Sequence, residues 1–585
     1  MANINFVSAT GGLWSIGGNW DGGSVPSTND IAIFSTIYGS GNITIDQNIV
    51  CSGVTISGNY NGNMTAAGYG YYLTGNYVDD GTGTRNLGSG MIMNGPSSRI
   101  HLGSTLGAAT ATSCAVTMNT NTSGVLDINK SNTIFKTITI NGTVFSFGMV
   151  ALGITNNTTA LTLTNNSIFT DNGVGLQIRL TSSATSMSLP ATYTYNGVGY
   201  LRFNNGANTI THSIPALNYT GSGDIVIMTD YNAPTFNLSG NLITNGNITS
   251  KIESSAGAGV TYVLNTNGYA VTCKTLDVGN SFATGTYTAN LSNSQINCTS
   301  FPSTLNHATG NVKLNLQSST INCSGNFTYG SNHTIDPGTS IVNITNTSTV
   351  TSNSKAFYDM NVNTAASGTL VTFADSPRIS GDVTVTQGST NLDGLNWSGW
   401  GDVLFDGTGN HTIGSGITLM GAGTMRLNGT LTSVISAGCY IKAMENTTFN
   451  LGTRTINRLG LTTGKTITMT AGAPILTVNT YTAADWDGVT FVSSTPTSQW
   501  GLNMVPSISV VGVNVTDSDN STGTEINADA TSVNGGNNLN WLFASVTPTT
   551  TVQLTEMRFY NPLLHREYIA KGRRVLRAVQ RYIGS

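Results

Sequence analysis

Charge is the first thing this sequence lacks. Only 9% of its 585 residues are Asp, Glu, Lys or Arg, against about 25% in an ordinary soluble protein. Helical surfaces are built largely from Glu, Lys and Arg, so their scarcity excludes an all-α protein. Long apolar runs are also missing: no stretch approaches the ~18 residues that a membrane helix needs. No basic leader or apolar run lies between Met1 and Trp14, so neither a membrane span nor a signal peptide is expected. The six cysteines, Cys51, Cys114, Cys273, Cys298, Cys323 and Cys439, include no Cys-x-x-Cys pair. That spacing indicates neither a zinc site nor a disulfide framework, and reduced, packed thiols are the expectation.

What is present is Gly, Asn, Ser and Thr alternating with Val, Ile, Leu and Phe in short runs. The 69 glycines make up about 12% of the chain against a usual ~7%. Short alternating runs joined by polar turns predict many brief strands. With 38% hydrophobic residues and 18 Phe, 21 Tyr and 7 Trp, the chain has the apolar surface for a large core rather than disorder.

A repeat narrows the fold. Ala270-Val271-Thr272-Cys273, Gln295-Ile296-Asn297-Cys298 and Thr320-Ile321-Asn322-Cys323 follow one another at steps of 25, and Leu291 and Leu316 share that offset. Ile138-Thr139-Ile140-Asn141-Gly142-Thr143-Val144-Phe145 and Thr162-Leu163-Thr164-Asn165-Asn166-Ser167-Ile168-Phe169 align at a step of 24. A repeat of this length without helix predicts an all-β, single-stranded, right-handed parallel β-helix with about 25 residues per coil. Cys273, Cys298 and Cys323 would stack as an inward ladder, and asparagines would form amide ladders at the turns. The competing expectation is a β-sandwich array with coincidental spacing.

The predicted organisation has four parts: an N-terminal cap over 1–35, the β-helix over 36–545, a linker over 546–554, and a basic amphipathic anchor over 555–585. The linker reading comes from Val546-Thr547-Pro548-Thr549-Thr550-Thr551, a stiff extended segment. The last segment carries seven basic residues and two acids, a net charge of +5, and leaves the other 554 residues at −9. From Pro562 it reads as a short helical tail with one apolar side. Alone in water such a helix is marginal. Arg558, Leu564, Arg566, Tyr568, Arg573, Arg574, Arg577, Val579 and Tyr582 are therefore predicted to anchor on a partner with an acidic, apolar groove. The alternatives are a helix that folds back over the last coil and, more remotely, contact with a membrane surface or nucleic acid. The acidic remainder offers no supporting patch for those last two, and no nucleic-acid partner is expected.

Trp14-Ser15-Ile16-Gly17-Gly18-Asn19-Trp20 followed by Val25-Pro26-Ser27-Thr28-Asn29-Asp30 resembles the Trp-containing, Val-Pro-x-x-x-Asp opening of large bacterial and phage surface β-helix proteins, including the G8-like type. The stretch from Val513 to Gly523, leading to Gly535-Gly536-Asn537-Asn538-Leu539-Asn540-Trp541-Leu542-Phe543, is similar to the closing coil of the same class. The resemblance implies a fold and a surface habitat, without an activity.

Chemistry is sparse. The closest acid pairs are Asp79/Asp80, Asp485/Asp487 and Asp517/Asp519. Asp79/Asp80 beside Gly81 reads as a turn. Asp485 and Asp487 flanking Trp486 would share one strand face and form the candidate carbohydrate contact. The Asn-Thr-Asp, Asp-Asp, Gly-His-Gly and Arg-x-Lys set of polygalacturonase-type β-helices is not found, although Thr170-Asp171 stands alone. His101, His212, His307, His333, His411 and His565 form no His-x-x-x-His pair, and no Gly-x-Ser-x-Gly elbow occurs. Around Asp517, Asp519, Ser521 and Glu525 the calcium-loop glycine is replaced by Thr522. No catalytic set, cofactor or metal is expected.

A charge-poor β-helix without an export signal, resembling extracellular ones, fits a virion protein made in the host cytoplasm and displayed on the virion surface. The expected function is that of a bacteriophage structural protein: a capsid fibre or decoration, or a tail spike or fibre. Residues 546–585 would dock on other virion proteins while the solenoid contacts a host surface glycan. A homo-oligomer is expected, a trimer being the common form of phage β-helix spikes. The alternatives are a polysaccharide depolymerase, which needs two carboxyls within about 9.5 Å, and a bacterial surface adhesin.

Overall fold

A computed structural model describes residues 1–544 apart from short intervening stretches, the longest at 392–402. Over 383–442 it describes backbone alone. The chain divides into two compact units, Met1–Phe543 and Ala544–Ser585. Residues 545–585, with the predicted helical tail and every predicted anchoring residue, lie outside the described residues.

The first unit is a parallel β-solenoid with coils about 24 residues apart. Its strands alternate inward apolar and outward polar positions, as a half-buried strand must. Gln295–Pro302 shows the pattern: Ile296 and Cys298 are buried while Asn297 is partly exposed. Every strand–strand register among the described residues is parallel, including Gln295 opposite Thr320 and Ile296 opposite Ile321. The antiparallel pairing is an isolated bridge, Phe6 with Trp20.

The thiol ladder forms as the repeat predicted. Cys273 lies opposite Cys298, Cys298 opposite Cys323, and the column continues inward through Ile344 and Val362. On the other face of the same strands, Thr272, Asn297, Asn322, Asn343 and Asn361 stack in register. Asn322, Asn343 and Asn361 each donate from Nδ2 to the Oδ1 of the asparagine one coil earlier, at 2.7, 2.6 and 2.8 Å. A second amide column links Asn237, Asn265, Asn290 and Asn315, each bond 2.7 Å long. The next corner repeats as well: Asn267, Ser292 and Gln317 follow the ladder in successive coils, all with positive φ, at 54°, 27° and 51°. Asparagine tolerates that left-handed geometry better than most side chains. Cys51, Cys114, Cys273, Cys298 and Cys323 are buried and unbridged, whereas Cys439 lies outside the described residues.

One alignment drawn from the sequence is corrected. Ile138 pairs with Leu161, a step of 23, and Val144 pairs with Phe169, a step of 25. A turn at Thr164–Ser167, with Asn166 at φ 62°, inserts residues between the two halves. A single step of 24 averages two registers that differ.

Aromatic residues fill both ends. Trp20 contacts Phe6 at 5.6 Å, Trp14 at 4.7 Å and Phe34 at 5.6 Å between ring centroids, and its Nε1 donates to the Trp14 carbonyl at 3.0 Å. At the other end Trp541 and Phe543 are partly buried against the core, and Trp541 Nε1 donates to Ser518 Oγ at 3.0 Å. A solenoid end without such a cover would expose apolar side chains and unpaired backbone groups.

Candidate functional site

The predicted carbohydrate contact is overturned at its centre. Asp485 is not in a strand; it ends a short 3-10 turn, Ala483–Asp485. Its carboxylate receives Arg458 Nε at 2.6 Å and Nη2 at 2.7 Å, with only 5% of the Asp485 side chain exposed. Trp486 is fully buried, its Nε1 donating to the Leu459 carbonyl at 2.9 Å and its ring packed on Tyr481, Phe491 and Trp541. The indole therefore belongs to the interior and cannot stack on a sugar. Asp487 faces out, accepting from the Val511 backbone at 3.3 Å. The alternation that would have placed both acids on one face applies to strands, and this segment turns instead.

At Asp79 and Asp80 a strand runs out into the expected turn, the Gly81 N–H donating to Asp79 Oδ1 at 3.0 Å. Asp79 ends the strand Tyr77–Asp79 and points inward, fully buried. It accepts Arg85 Nε at 2.8 Å, and the Arg85 side chain is fully buried too. Arg85 Nη1 donates to the Gly62 carbonyl at 2.7 Å, and its guanidinium lies 5.5 Å from the Tyr60 ring centroid. Burial pushes the Asp79 carboxyl above its usual value despite the arginine. A Cβ on Gly81 or Gly83 would fall 2.3 or 2.5 Å from guanidinium nitrogens, so those glycines make room for the buried cation.

Asp80 faces outward and joins a network that sequence reasoning missed. His101 Nε2 lies 2.9 Å from Asp80 Oδ1, and His101 Nδ1 lies 2.7 Å from Asp127 Oδ2. Arg99 reaches the same Asp127 oxygen. Parallel pairing brings these groups together: His101 stands opposite Val78 on one side and Asp127 on the other. Burial works against ionisation of Asp127, but hydrogen bonds from His101 and Arg99 hold its carboxyl below the usual value. The signal in the sequence was the spacing of 26 between His101 and Asp127, one coil apart.

The two carboxylates sit on opposite edges of one imidazole, so the three groups cannot converge on one ion. Among the described residues no group of three or more His, Cys, Asp or Glu could hold a metal. The imidazole also fills the gap in which a carboxylate pair would seat a glycosidic bond and water. Chemically the network is a clamp across successive coils.

Asp517 and Asp519 are separated by the backbone. Asp517 is buried at φ 58°, its two oxygens taken by Asn537 Nδ2 at 2.8 Å and the Thr497 N–H at 3.0 Å. Asp519 is partly exposed and accepts from the Ser521 N–H at 2.9 Å. It lines a surface notch of about 420 Å³ with Gly472, Ile475, Gln499, Gly501 and Ser521.

Fold and surface together define the class as a parallel β-solenoid, filled inside by apolar ladders and faced outside by amides and hydroxyls. No family model, curated protein or solved structure matches the chain.

Proposed function

We propose that this chain is a bacteriophage virion structural protein, a capsid fibre or decoration or a tail spike or fibre. Its basic C-terminal segment anchors it to other virion proteins, and its solenoid provides a surface for attachment to the host. The observation that carries this reading is the division at Phe543/Ala544. It sets a capped, charge-poor solenoid against a terminal segment whose residues 555–585 carry a net charge of +5. A long stack of amide and hydroxyl columns suits repeated weak contacts with a polyhydroxy surface, and the cationic tail suits an acidic docking groove.

Immunogold electron microscopy with an antibody to the chain, on phage particles and on uninfected cells from the same source, tests the reading. Label on particles supports it, and its position on head or tail chooses between decoration and spike. Label confined to cell envelopes overturns it in favour of an adhesin. Deletion of residues 546–585 tests the anchor: the expected product keeps its unfolding midpoint and no longer joins particles. A lowered midpoint with assembly intact would instead make the tail an intramolecular cap.

A further inference from the structure

We propose that the notch around Gly501 and Asp519 is a binding site for a neutral glycan. Three strands build it side by side: Gly472–Thr480, Trp500–Met504 and Ser518–Asp519. Ile475 lies opposite Gly501, and Gly501 opposite Asp519. Those three positions form an outward column whose middle member has no side chain.

Two further features deepen the gap. The register shifts between Gly472 and Ile475, a bulge, and Gly472 adopts φ 104°, a conformation suited to glycine. A strand glycine beside a bulge marks a place where another group can approach the backbone. The resulting space of about 420 Å³ lies in the ~300–1,000 Å³ range of small-molecule sites.

The lining selects the ligand. Asp519 spends Oδ1 on the Ser521 N–H, leaving Oδ2 to accept. Gln499 spends Nε2 on the Asn537 carbonyl at 2.8 Å, leaving Oε1 to accept. Ser521 and Thr522 add hydroxyls at the rim, and Ile475 adds one apolar wall. Acceptors around a small apolar patch match the hydroxyls and C–H face of a sugar ring. No lining residue is cationic and one is an aspartate, so the site disfavours uronates and sialic acids. The inference deepens the attachment reading, on which it rests for its biological setting.

The test uses the full 585-residue chain on an array of immobilised oligosaccharides, neutral ones beside uronate- and sialate-bearing counterparts. Gly501→Leu fills the notch, and Asp519→Asn removes the charge while keeping an Oδ1 acceptor for the turn. The expected result is retention of neutral glycans by the parent, loss of retention in Gly501→Leu, and roughly tenfold weakening in Asp519→Asn. Unfolding midpoints confirm that the variants fold, and if Gly501→Leu does not, Asp519→Asn decides. The proposal is overturned if the parent retains no neutral glycan, retains only acidic ones, or loses nothing in the folded variants. Labelled particles whose folded Gly501→Leu chain still binds neutral glycans would overturn the notch alone. Notch-dependent binding by a chain absent from particles would overturn the virion reading alone.

Discussion

The coils near the N-terminus and those around the cysteine ladder fill the same kind of tube with different chemistry. Between residues 53 and 102 the interior holds a fully buried Asp79–Arg85 pair under Tyr60, with Tyr77 Oη 3.3 Å from Asp79. Between 262 and 344 like stacks on like: Cys on Cys inside, Asn on Asn outside, and Tyr262 on Tyr287 at 4.9 Å. The first arrangement concentrates its stability in one pair that must be complete. The second spreads it over many small, repeated contacts, as expected for a quasi-one-dimensional protein.

Breaking the buried pair gives the largest expected effect. Arg85→Ala leaves Asp79 buried without its cation, and removing one partner of a buried pair costs about 3–5 kcal/mol. Urea unfolding should show the loss in the transition of the N-terminal coils. The double replacement Asp79→Leu with Arg85→Met should recover most of it, because no uncompensated charge remains. Equal losses in the single and double variants would mean that shape rather than charge holds these coils.

The ladder should yield less to any one substitution. Asn290→Ala removes its bonds to Asn265 and Asn315, and net hydrogen bonds of this kind contribute ~0.5–1.5 kcal/mol each. An expected loss of about 1–2 kcal/mol, read by the same unfolding experiment, keeps the contrast. A loss matching that of Arg85→Ala would erase it.

Thiol reactivity sharpens the comparison without a substitution. Burial pushes Cys51, Cys114 and Cys273 up to about 12, and the thiolate is the reactive form. At pH 8 a disulfide reagent should leave all three untouched in the native protein and label them once denaturant is added. Selective native labelling of Cys273 would locate local opening in the ladder coils.

The smallest expected effect lies at the surface. Asp529 accepts from the Gly512 N–H at 3.0 Å and from Thr531 and Ser532, which lowers its carboxyl to about 2. A carboxyl lowered on folding stabilises above its unfolded value of ~3.9, and the contribution is lost as pH falls from there through about 2. Asp529→Asn should flatten that part of the pH–stability curve, its small loss showing at neutral pH and vanishing as pH falls to about 2.

How much was legible in advance follows the same division. The thiol column, the coil length and the amide ladders were visible because identical residues recur at the coil period and alternation says which face each occupies. The Trp14–Trp20 end was visible as paired tryptophans before a Val-Pro turn. The turn at Asp79 was legible but its burial was not, because an inward carboxylate makes sense only once Arg85, across a corner of the coil, is known to meet it. Trp486 was misread because a short turn replaced the strand that would have presented it. The His101 network needed the register between coils, and the notch needed a bulge that no local pattern announces.

The amino-acid sequence by itself determined a β-rich, charge-poor chain, its parallel coiling and the ladders of like on like. A period near 25 with inward–outward alternation leaves stacking as the way to bury one face and hydrate the other. Tertiary structure alone decided which unlike residues meet: Arg85 with Asp79, His101 with Asp80 and Asp127, Gly501 between Ile475 and Asp519. Those meetings depend on where each corner turns and how each coil slips against the next, and a single inserted residue in a loop changes both.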